Sequence, residues 1–139
     1  GLPRRTVSGA DPQRLAVLLA VLAKRAGIGL GSHDVYVNLV GGLRVREPAA
    51  ALAVAVALAS ALRDRAADPR TVFVGELGLG GELRRVQRLA ARLKEAQRLG
   101  FTRAVVPQAS LGDLNGSGLD VVGAATLREA LTRSGITDS

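Results

Sequence analysis

The chain has 139 residues, 47% apolar, which supports one hydrophobic core and argues against intrinsic disorder. No Cys and a single His, His33, exclude a disulfide scaffold, a thiolate metal site and a multi-histidine catalytic centre. Nineteen Lys and Arg against 12 Asp and Glu leave +7, so a polyanionic partner is expected, while three aromatics (Tyr36, Phe73, Phe101) offer no base-stacking platform.

Residues 2–8 read as a short strand. Asp11 caps a helix over residues 12–25, with Leu15, Leu18, Leu19 and Leu22 on one face, and Gly27 stops it. Val35, Val37 and Leu39 alternate with Tyr36 and Asn38, the pattern of a strand with one face buried. A basic loop at residues 43–47 follows two glycines, and Pro48 starts an Ala-rich helix reaching about Arg65. After a turn at Asp68-Pro69, residues 71–76 form a strand. Gly78, Gly80 and Gly81 then punctuate a hairpin returning through residues 82–86, with Gly78 and Gly81 expected at positive φ.

A helix is expected from about Gln87 to Leu99, with Val86, Leu89, Leu93 and Ala96 inward and Gly100 ending it. Ala104, Val105 and Val106 make a buried strand. A Gly/Asn loop at residues 111–118 leads to a strand at 119–122 and a last helix from about Thr126 to Arg133. Alternating strands and helices with one hairpin describe an α/β (α+β) single domain over residues 1–139. With no initiating Met, the chain is expected to be a piece of a longer protein. The uncharged run at residues 48–62 is shorter than the roughly 20 residues of a membrane span, so a soluble, cytoplasmic protein is expected.

No phosphate-binding loop or nucleophile-elbow pattern exists, and His33 beside Asp34 reads as a turn residue. The basic residues, by contrast, cluster. Arg84, Arg85, Arg88, Arg92, Lys94, Arg98 and Arg103 stand against the single acid Glu95 in residues 84–103, carrying +6 of the net +7. Arg84, Arg88 and Arg92 at spacing i, i+4, i+8 would line one helical stripe. Such a stripe favours phosphate-backbone contacts, hence weak sequence preference and strong salt dependence.

The motif DVYVNLVGGLRVREPAA from Asp34, with VGELGLGGELRRV from Val74, resembles the C-terminal Lon-protease-like domain of the bacterial RadA (Sms) recombination and repair family. The resemblance runs from about Ser8 to Leu131. It implies the fold of the Lon proteolytic domain, of the ribosomal-protein-S5-domain-2-like type. In proteolytic Lon, a Ser after a Pro is the nucleophile and a Lys early in the helix after the hairpin is its base. Those positions fall here on Ala49 (or Ala50) and Ala90, which implies lost peptidase activity and no enzyme in this domain.

The resemblance also implies that zinc and ATP belong to parts of the longer protein outside this chain, a zinc finger and a RecA-like, DNA-dependent ATPase. No cofactor is therefore expected in this domain. It further implies DNA as the polyanion, branch migration of recombination intermediates as the process, and a homohexameric ring, with other recombination proteins as further partners. In the Lon fold the loop before the nucleophile and the hairpin converge on the cleft. That marks Arg44 and Arg84 first, then Arg85, Arg88, Arg92 and Arg46, as the DNA-binding residues. The alternative is a purely structural ring scaffold without DNA contact.

Overall fold

A computed structural model describes residues 5–8, 21, 25–26, 35–38 and 48–138. The expected helix over residues 12–25 lies outside them except for Val21 and Arg25. The loop carrying Arg44 and Arg46 lies outside them entirely, as does His33.

Strands β1 (Arg5–Ser8) and β2 (Val35–Asn38) pair in parallel, Arg5 opposite Val35. The central sheet is parallel, in the order β3 (Thr71–Phe73), β6 (Arg103–Pro107), β7 (Asp120–Ala124). Between β3 and β6 lie the hairpin β4 (Glu76–Leu77) and β5 (Leu83–Arg84) and helix α2 (Leu89–Arg98). Helix α1 (Ala51–Arg63) precedes the sheet, entered through a 3-10 turn at Pro48–Ala50. A second 3-10 segment, Gln108–Asp113, links β6 to β7, and α3 (Leu127–Arg133) follows β7. A mixed α/β fold with a parallel sheet and helices is thus observed, consistent with the α/β Lon-like domain expected.

The sheet divides the core in two because successive strand residues face opposite sides. Val72, Ala104 and Val121 are register partners and pack with Leu89, Leu93 and Ala96 of α2. Phe73, Val105 and Val122, one residue further along, pack with Leu52, Ala55 and Ala59 of α1 and Leu127 and Leu131 of α3. Each face therefore has its own helices: α2 on one side, α1 and α3 on the other.

Three expectations need correction. The strand over residues 71–76 is two strands in two sheets, because the chain leaves the central sheet at Gly75, after Val74 N–H makes a last bond to Val105 O (3.0 Å). There Gly75 N–H donates to Ala49 O (2.8 Å) and Leu52 N–H donates to Gly75 O (3.0 Å), tying the start of α1 to this bend. Gly81 has φ +85°, but Gly78 does not have positive φ. The space beside Gly78 is taken by the Glu82 carboxylate, whose Oε1 lies 1.7 Å from where a Cβ would stand, so a larger residue there would push this half-exposed side chain out of the turn. Finally, the helix after the hairpin starts at Leu89, so Arg84, Arg88 and Arg92 do not form a helical stripe: Arg84 is in β5, and Arg88 is the residue before α2.

Candidate functional site

The connection between β5 and α2 is short and fixed from below. Val86 is buried, and its N–H donates to Oγ of Ser110, itself fully buried, at 2.9 Å. Leu89 and Leu93 anchor the first turns of α2 in the core. Between these anchors Arg88 takes φ +60° and ψ +36°, the left-handed region. For a residue with a Cβ this costs about 1–3 kcal/mol, held here by the buried residues on either side. The turn opens a cleft of about 520 Å³ lined by Arg85, Val86, Gln87, Arg88, Leu89, Ala90 and Asp113.

Arg85 and Asp113 form an ion pair across this cleft. Arg85 Nε donates to Asp113 Oδ2 at 2.9 Å and Nη2 donates to Oδ1. The hydrogen bonds and then the charge of Asp113 raise the Arg85 guanidinium above its already high pKa, so Arg85 is permanently cationic. The Arg88 guanidinium meets no hydrogen-bonding or ionic partner among the described residues. One paired and one unpaired guanidinium thus share the cleft.

The remaining expected residues are dispersed. Arg84 lies on the hairpin with Nη2 3.4 Å from Oε1 of Glu82 and does not line the cleft. Glu82 is held below the usual carboxylate range, first by its own backbone N–H, with Arg84 and the Gly80 backbone adding to this. Arg92 turns back along α2, its Nε donating to Gln87 O at 3.0 Å. Arg98 pairs with Glu95 within the helix, and Arg103 Nε lies 3.9 Å from Asp120 on the neighbouring strand. Acids distant in sequence therefore neutralise part of the +6 window.

The two alanines implied as vestigial catalytic positions differ in setting. Ala49 is buried in the same core cluster as Leu89. Ala90 is exposed and lines the cleft. Neither side chain carries a proton-transferring or nucleophilic group. Sequence reasoning missed Asp113, which reads as a loop residue, and Ser110; no local spacing signals either. Among the described residues no group of three His, Cys, Asp or Glu is placed to hold a metal ion, and no helix is long and apolar enough to cross a membrane.

The family described as subunit ChlI of Mg-chelatase matches residues 1–110. Among curated proteins, the chain is 44% identical over 135 residues to "DNA repair protein RadA" of Bacillus subtilis (strain 168), covering 96% of this chain and 30% of that protein. It is 45% identical over 134 residues to the protein of the same name from Streptococcus pneumoniae, covering 96% and 32%. The Synechocystis protein of that name is 50% identical over 110 residues, covering 79% and 22%. The chain thus spans a third or less of the length of these relatives. The resemblance carried by the Asp34 and Val74 motifs is borne out.

Proposed function

The chain belongs to the family described as subunit ChlI of Mg-chelatase, and from that membership, its RadA relatives and its cleft we propose a proteolytically inactive DNA-binding module. It serves a longer DNA repair protein that processes recombination intermediates in the cytoplasm, and it grips the DNA phosphate backbone without reading sequence. The observation that carries this is Arg88, without an ionic partner among the described residues, beside Arg85 at a strained turn in an open cleft. Strain of this kind persists where surrounding packing over-determines it, and it is concentrated at functional sites. Guanidinium forks match phosphate oxygens, and without aromatics the contact is with backbone and not with stacked bases.

Arg85 and Arg88 are the central contacts and Arg84 and Arg92 extend the basic surface, while Arg44 and Arg46, outside the described residues, are further DNA contacts that the resemblance implies. Ala49 and Ala90 leave the inherited peptidase without nucleophile or base, so casein is not cleaved. ATP and zinc act in other parts of the longer protein, whose DNA-dependent ATPase this module serves.

A ring-assembly role is supported by a separate observation. Leu79, at the tip of the β4–β5 hairpin, is 73% exposed, and the carboxylate of Glu82 packs into the turn beneath it. An apolar residue on a braced tip suits insertion into a neighbouring subunit of a homohexamer. Light scattering on the chain, alongside a DNA titration, separates the roles. Assembly that survives while DNA is ignored would leave the scaffold alone.

A further inference from the structure

Within the DNA-binding reading, on which this inference rests, we propose that Asp113 is a built-in counter-ion occupying a phosphate seat. A carboxylate and a phosphodiester present a similar pair of anionic oxygens to the planar guanidinium fork. Asp113 engages two donors of Arg85, Nε and Nη2, with both of its carboxylate oxygens. Among the described residues it is also the one acid lining the cleft, against Arg85 and Arg88. A phosphate that takes this edge of Arg85 must displace Asp113.

The structure lets that happen without moving the backbone. The 3-10 segment Gln108–Asp113 is pinned to the site by the buried hydrogen bond from Val86 N–H to Ser110 Oγ. Its far end is held by Leu111 and Leu114, which pack against the core, but between them a Cβ built at Gly112 meets no atom within 4 Å and the Asp113 side chain is partly exposed. The side chain can swing off Arg85 while Ser110 keeps the segment in place. Asp113 therefore sets a threshold. An extended polyanion, which also engages Arg88 and the surrounding cations, displaces it, whereas an isolated phosphate does not.

The test is a titration of the chain with a fluorescent duplex at several salt concentrations, with matched folding measured by circular dichroism. Asp113→Asn keeps the shape and removes the charge. It is expected to tighten binding about two- to fivefold and to steepen the log-affinity slope against log salt by about one contact. Inorganic phosphate, which should not compete with the duplex on the parent chain, should compete measurably on the variant.

In an Arg85→Gln background the Asp113→Asn gain should vanish, because Asp113 acts through Arg85. A gain that persists there would show only a diffuse charge effect and overturn the seat. Arg88→Glu separates the two levels of the argument. If it loses binding while Asp113→Asn changes nothing, the seat is wrong and the interface stands. If neither variant moves the titration, the DNA-binding reading fails and the seat with it.

Discussion

Among the described residues, only Asp64 and Arg88 take left-handed backbone without being glycine, and they belong to differently charged faces of the molecule. Asp64 closes α1 at its C-terminal end, with its backbone N–H on Ala61 O. A left-handed residue is usual there, and Asp tolerates it better than most. Around it, residues 63–70 and 127–138 set five cations against four acids, many paired: Arg65 with Asp138, Arg133 with Glu129 at i, i+4. Arg88 instead precedes a helix, where left-handed backbone has no local reason. The segment around it keeps seven cations at residues 84–103 against four acids, even after Glu82, Asp113 and Asp120 are added to Glu95. One face is charge-balanced and locally relaxed; the other is cationic and strained. The second pattern is that of a binding surface.

The packing beneath the two faces should be of equal worth, and the largest effects test this. Leu93→Ala under the cationic face and Leu131→Ala under the balanced face should each cost about 2–5 kcal/mol in denaturant unfolding. A large difference would mean that one face is not part of the same cooperative unit. Next comes Ser110→Ala, which leaves the buried Val86 N–H without its acceptor. It should cost about 1–3 kcal/mol and also weaken DNA binding, because the cleft loses its floor.

Arg88→Gly sharpens the comparison most, since glycine accepts the left-handed turn. The melting temperature should rise, by the equivalent of about 1 kcal/mol at most, while DNA affinity falls several-fold. Stability and binding moving together would remove the functional meaning of the strain. The smallest effect is that of pH. Glu95 beside Arg98, Asp138 beside Arg65, and Glu82 on its turn N–H groups are all held below the usual carboxylate range. Their contribution is present above the unfolded carboxylate pKa values and is lost as pH falls through the lower folded values. A slight drop in melting temperature is expected between about pH 5 and about pH 3, shared by both faces.

Elements set by local pattern were legible in the sequence. The run Ala104, Val105, Val106 is fully buried, as its apolar character implies, and Gly100 ends α2 at φ +99°. Thr126 caps α3, its Oγ1 accepting from Glu129 N–H at 3.1 Å. What was not legible depends on contacts far along the chain. The break after Phe73 is made by Ala49 and Leu52, and nothing in residues 71–76 signals it. Likewise Arg85 reads as one more free cation until Asp113, 28 residues on, is seen beside it. The excess charge was visible, but its division into paired and unpaired arginines required the fold. Arg44 and Arg46 lie outside the described residues, so their convergence on the cleft rests on the resemblance alone.

The central claim is that the cationic face, and not the charge of the whole chain, binds the DNA backbone. It is tested most directly by titrating one duplex, at two salt concentrations, with the parent chain, Arg88→Glu and Arg128→Glu on the balanced face. The account predicts steep salt dependence, about a tenfold loss for Arg88→Glu and less than about a twofold change for Arg128→Glu. Equal losses from both variants would contradict it, since net charge alone would then explain the binding.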